Sequence, residues 1–241
     1  MEICEWLIGG MPNATLVGLD LGPSLPFVDC GAYFPGWEDS PADARSLWAL
    51  VDRICHDDPH LAASSLVDHT SAAEHFRRHG GRKGRLFEGR GRLRVTERAQ
   101  QEQGLNPYSN FNLVGAAQVG KSSLTGMRVL HRITDRLPVW PFDPVSETGS
   151  LVVEIYTSIA ALAAGRAKGR TKIRDGAALD DALAQLGSDP VGQAGPIDDH
   201  QSDALLTAAW LRSHAGRAEL WHPPALTPEI ARTEGWTFGV T

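Results

Sequence analysis

The sequence predicts an α/β fold, a mixed sheet flanked by helices, and three observations carry the prediction. Two apolar runs of strand length, TLVGLD (residues 15 to 20) and SLVVEIYTS (150 to 158), each carry an acid, Asp20 and Glu154. Segments with helical spacing of apolar residues lie between and after them. Strands that alternate with helices along a chain mark this class. A chain of 241 residues is long enough for one sizeable domain. No internal repeat and no Pro/Ser-rich linker divides it, so a single domain over 1–241 is expected, with a helical and Arg/Gly-rich insertion at about 36–105.

Residues 2 to 9 read as the tail of a helix, followed by the strand Thr15 to Leu21, which Gly22, Pro23 and Pro26 terminate. From Pro41 to Ile54 the spacing of Leu47, Leu50, Val51 and Ile54 predicts a helix, with Asp39 and Asp43 favourably near its positive end. Residues 60 to 80 read as one or two further helices, and 80 to 94 as an extended loop or exposed hairpin. A helix follows at about Ser122 to Arg136, then the rigid connection VWPFDP, where two prolines lack the backbone donor. Strand 151 to 156, helices at 158 to 167, 177 to 186 and 199 to 213, and a last strand at Trp236 to Val240 complete the reading.

Composition excludes several classes. Hydrophobic residues make up 42% and charged residues 22%, as in ordinary globular proteins, and no apolar run reaches membrane-spanning length. No membrane partner is therefore expected. The N-terminus carries acids where a secretory signal would be basic, and the three cysteines (Cys4, Cys30, Cys55) show no paired spacing. A reduced, cytoplasmic setting is the expectation. Charge is unevenly spread. Nine of the 23 basic residues fall between His75 and Arg98, opposed there by only Glu88 and Glu97, in a chain of net charge −6. Such a segment suits a nucleic-acid contact through Arg82, Lys83, Arg85, Arg90, Arg92 and Arg94; it equally suits a solvated Arg/Gly loop.

Three acids carry the chemistry. Asp20 closes the first strand, Glu154 interrupts the second, and Asp203 lies on the late helix three positions after His200. Three carboxylates brought to one point would hold Mg²⁺ or Mn²⁺, hard cations that prefer oxygen. Such a centre hydrolyses phosphodiesters, with His200 orienting the attacking water or itself binding metal. Each residue has a plainer reading: Asp20 as a turn cap, Glu154 in an ion pair with an arginine, and the 198 to 203 acids as helix caps. A competing motif is Gly115-Ala-Ala-Gln-Val-Gly120-Lys121-Ser122, which fits the phosphate loop G-x-x-x-x-G-K-S and points to a nucleotide hydrolase. Its preceding strand is short, and the next apolar run, LVVE, ends in Glu154.

The succession LVGLDLGPSLP, NLVGAAQVGKSSLTGMRVL, VWPFDP, VVEIYTS, DDHQSDALLTAAWL and EGWTFGV resembles the bacterial family catalogued as domain of unknown function 429, over most of residues 15 to 241. The resemblance implies an RNase H-like fold and a predicted nuclease activity. It also implies that VGKSSLTG is a structural turn in which Lys121 is not required. An RNase H-like sheet opens with three antiparallel strands, the first bearing a metal-binding Asp, yet only 14 residues precede the Asp20 run. Either GLDLG is the fourth, central strand and the opening strands are absent, or GLDLGPS is the opening strand with FVDCGAYF as its partner. The first alternative is preferred here; it would lack the first aspartate and leave a nucleic-acid-binding protein without catalysis as a further reading.

Overall fold

Two short strands organise the molecule. β1 (Leu16–Leu19) and β2 (Leu151–Glu154) pair in parallel, with Leu16 opposite Leu151 and Leu19 opposite Glu154. The structure is a computed structural model and describes residues 3–12, 14–115, 118–146, 148–166, 173–192 and 195–241. The N-terminal turn α1 (Ile3–Glu5) runs on into a wider turn, Trp6–Gly10, before β1. Between the strands lie α2 (Ala44–Ile54), α3 (Ser64–Val67), α4 (Thr70–Ala73), α5 (Val95–Glu102) and α6 (Val119–Ile133). After β2 come α7 (Thr157–Ala163), α8 (Gly176–Gln185), α9 (Asp199–His214), α10 (Ala218–Trp221) and α11 (Pro228–Thr233).

Side chains alternate across a strand, and here both faces are covered. Val17, Leu19 and Val152 pack into a first core with Leu47, Trp48 and Val51 of α2 and Leu124, Met127 and Leu130 of α6. Leu16, Leu151 and Val153 pack into a second core with Ala160 of α7, Leu179 of α8 and Leu206 and Trp210 of α9. All four residues of β2 are buried, as expected for a strand between two helical layers. The α/β class of the sequence reading holds.

Local sequence explains the helix starts. The Asp43 carboxylate accepts from the Ser46 amide and caps α2; Asp175, Asp198 and Thr227 cap α8, α9 and α11 in the same way. Gly120 and Gly126 let α6 pack closely. A Cβ at Gly120 would lie 2.2 Å from the Asn110 carbonyl oxygen, and one at Gly126 would lie 2.4 Å from Leu21.

Several expectations need correction. The described sheet is parallel, not mixed. Residues 236 to 240 form no strand: a single bridge joins Thr237 to Glu154, and the chain turns back at once, with the Val240 amide donating to the Thr237 carbonyl. FVDCGAYF forms turns and does not pair with β1. The stretch 60 to 80 holds two helices as expected, α3 and α4, but both are a single turn long and follow a 3-10 turn at Pro59–Leu61. α5, α10 and α11 were not expected from the spacing of apolar residues. Among the described residues, no helix is long and apolar enough to cross a membrane.

Candidate functional site

Parallel strands end at a common edge, and in open α/β sheets that carboxyl edge is where ligands bind. β1 and β2 accordingly bring Asp20 and Glu154 to one cleft of about 180 Å³, whose walls include Asn110, Ser122, Tyr108 and Tyr156. Alternation along the strands sends the two acids to different neighbours. Asp20 continues the Leu16–Gly18 side, where Gly18 lies against Leu211 of α9; Glu154 continues the Val152 side.

Asp20 meets the first turns of α9. Its carboxyl reaches solvent, yet the recess around it is crowded with protein atoms. Loss of hydration first, and repulsion by Asp203 second, push it up to about 6, while His200 acts in the opposite direction. Asp203 and His200 of α9 thus lie near enough to Asp20 to act on its charge. His200 is exposed and Asp203 is half-buried. Around Asp203, Ala204, Leu205 and Ala208 are exposed, and Ser202, Leu206, Thr207, Ala209 and Trp210 face the core. Asp199 lies 3.9 Å from Arg174.

Glu154 has a partner of its own. Arg94 donates from Nη2 to Glu154 Oε1 at 2.5 Å and from Nη1 to Oε2 at 3.0 Å, and Thr237 Oγ1 donates to Oε1 at 2.9 Å. Both carboxylate oxygens are thus engaged, which matches the ion-pair reading. The same guanidinium serves Glu97, at 2.9 Å from Nε and 2.5 Å from Nη2, and donates to the Glu234 carbonyl. Side-chain exposures of 1% for Arg94 and 6% for Glu154 place this network out of water. Burial raises Glu154 above the usual carboxylate range, and Arg94 opposes that rise. Burial also pushes the Tyr156 phenol up, with Asp20 adding to the effect. Among the described residues no three His, Cys, Asp or Glu side chains converge closely enough to hold a metal ion.

The basic segment is not one surface. Arg92 is 16% exposed, pairs with Asp29 and donates to the carbonyls of Pro26, Ala32 and Tyr33. Arg94 is buried. Both are internal staples and are removed from the nucleic-acid-binding set. Arg82, Lys83, Arg85 and Arg90 remain exposed, and Arg90 stacks 5.2 Å from the ring centre of Tyr108 at the cleft.

The phosphate-loop motif lies at the start of α6, with residues 116 and 117 outside the described residues. The Gly120 amide donates to the Asn112 carbonyl, the Lys121 amide to the Gln118 carbonyl, and the Ser122 hydroxyl to the Val119 carbonyl. These groups serve the chain itself, and Gly120 is required by packing. Gly115, at φ 75, occupies a turn.

Sequence reasoning missed Arg94 as the partner of Glu154. Its signal was legible: Leu93 and Val95 alternate with Arg92 and Arg94, so the run has strand-like period, and a lone acid in an apolar strand demands a cation. Asn110 was also missed; its amide nitrogen donates to the Ser24 carbonyl and its oxygen accepts from Ser123, tying the turn after β1 to α6. Comparison with protein-family profiles, with curated proteins and with solved structures returns no match.

Proposed function

We propose that this chain is a divalent-cation-dependent nuclease of RNase H-like architecture, with Asp20 and Asp203 as the cation ligands. One observation supports the reading: Asp20 lines an open cleft at the carboxyl edge of a parallel strand pair, and Asp203 on α9 is near enough to push its carboxyl up further. Two carboxylates fit Mg²⁺ or Mn²⁺, because Mg²⁺ commonly keeps several waters and takes only one or two protein carboxylates. When bound, the ion would supply an activated water and neutralise charge at phosphorus.

The chain's own groups do the remainder. Asp20 and Asp203 fix position from a strand end and a helix. His200, exposed on α9 near Asp20, offers a ring nitrogen for proton transfer. Glu154, neutralised by Arg94, positions the floor and is not proposed as a ligand. Tyr108, with Arg90 stacked on it, offers a face for an unpaired base. This favours nucleic acid as the substrate class. The Arg94–Glu154 pair also favours a second reading, a nucleic-acid-binding protein without turnover, since it leaves two acids where three were expected. The phosphate-loop hydrolase has no such support.

The test uses labelled single-stranded, duplex and branched DNA and RNA in Mg²⁺ or Mn²⁺. Cleavage lost in Asp20→Asn and in Asp203→Asn, with folding intact, supports the nuclease. Binding that weakens with salt but shows no turnover supports the second reading, and cleavage unchanged in both variants removes the first.

A further inference from the structure

A second cavity lies on the other flank of the first turns of α6, where Lys121 faces away from the Ser122 side of the cleft. Its volume is about 390 Å³, within the roughly 300–1,000 Å³ of small-molecule pockets. The walls divide by chemistry. Val67, Leu113 and Leu124 form an apolar part; Arg78, Arg82 and Lys121 bring three positive charges.

Charge in the cavity is not balanced. Asp68 is the carboxylate that lines it, and Asp68 Oδ1 alone accepts from both Arg78 Nη1 at 3.0 Å and Arg82 Nη1 at 2.8 Å. Among the described residues no carboxylate pairs with Lys121. Arg78 Nε is buried without a hydrogen-bond partner, although buried donors are nearly always satisfied. The guanidinium is held through Nη1 by the Val67 carbonyl and Asp68. An excess of fixed positive charge on a chain of net charge −6 calls for an anionic ligand at this spot.

We infer that this cavity binds an organic phosphate, the phosphoryl group on Arg78, Arg82 and Lys121 and an apolar or aromatic body against Val67, Leu113 and Leu124. Arg suits phosphate because its planar fork offers paired donors, and Lys adds a point charge. The apolar wall explains why a bare inorganic anion is the poorer fit. A nucleotide has both parts, whether free or as the 5′-phosphorylated end of a strand. The phosphate here does not sit on the amides of Gly120 and Lys121, which are internally bonded. Nor does the inference rest on the nuclease reading.

The experiment is calorimetric titration of the full chain with 5′-AMP, adenosine, inorganic phosphate and a 5′-phosphorylated dinucleotide. Divalent ions are chelated throughout, so a cation at Asp20 plays no part in the result. AMP is expected to bind about tenfold or more tightly than adenosine or inorganic phosphate, and Lys121→Gln and Arg82→Gln each to weaken it about tenfold. Both side chains are exposed, so the variants keep their fold. A dinucleotide tighter than AMP identifies a strand end as the source, and a weaker one a free nucleotide; both support the site. No heat with AMP at millimolar concentration, equal binding of adenosine, or undiminished binding in the double variant overturns it.

Discussion

Replacing Arg94 by Met tests the buried network that decides the role of Glu154. Arg94 is 1% exposed, and its two carboxylate partners, Glu97 and Glu154, are 7% and 6% exposed. Met approximates the aliphatic stem but removes the charge and every donor. Two carboxylates then face each other out of water without a cation. Breaking a buried pair in this manner costs about 3–5 kcal/mol, a large share of the roughly 5–15 kcal/mol that holds a domain together. The loss also acquires a pH dependence. Burial already raises Glu154, and without Arg94 it rises further. A carboxyl whose folded value exceeds its unfolded value favours the fold at low pH and loses that contribution as pH rises. Urea unfolding followed by tryptophan fluorescence should therefore show a midpoint lower at pH 8 than at pH 5 in Arg94→Met. The buried Trp48 and Trp236 report on both cores. Adding Glu154→Leu should restore about 2 kcal/mol, because one of the two uncompensated charges and their mutual repulsion are gone. A variant within about 1 kcal/mol of the parent at pH 8 would refute the reasoning.

Other outcomes follow from the same geometry. Asp203→Asn removes a repulsion and should lower the Asp20 carboxyl from about 6 toward its ordinary value, read by carbon NMR titration; an unmoved value would separate the two acids. His75 is buried between Phe34 and Phe111, and burial, with Arg92 adding, pushes it down to about 4. The unfolded chain then binds a proton the fold refuses, so stability should fall as pH drops from about 6.5 toward 4. His75→Phe should flatten that slope in thermal melts, and an identical slope would count against it. Gly120→Ala forces a Cβ to 2.2 Å from the Asn110 carbonyl oxygen and should cost about 1–3 kcal/mol by urea titration. A phosphate-loop glycine would instead leave stability unchanged and abolish ligand binding.

Legibility followed burial pattern and capping. β1, β2, α2 and α6 were readable because their apolar residues keep a clear period, and Asp43 marked the start of α2. α9 was readable as a helix but not by face. Its run ALLTAAWL is apolar on several sides, so nothing in the spacing told Leu206 from Leu205. The segment 236 to 240 looked like a strand because Trp236, Phe238 and Val240 alternate; they are buried, but tertiary packing against Trp210 and Trp221 fixes them with a single rung of pairing. Arg92 and Arg94 sit in a run rich in Arg and Gly, which reads as solvated and outweighed the alternation of Leu93 and Val95. The approach of Asp203 to Asp20 required α9 to pack against β1, a contact between residues 183 apart in the chain that has no local signal.

Calorimetric titration of Mn²⁺ into the parent chain, Asp20→Asn and Asp203→Asn tests the central claim most directly. One ion per chain should bind to the parent, more weakly at pH 5.5 than at pH 7.5 because a proton competes at Asp20. Each substitution should weaken it by about tenfold or more, while Glu154→Gln changes it little. Binding that ignores both aspartates, or that is lost with Glu154 alone, would contradict the assignment.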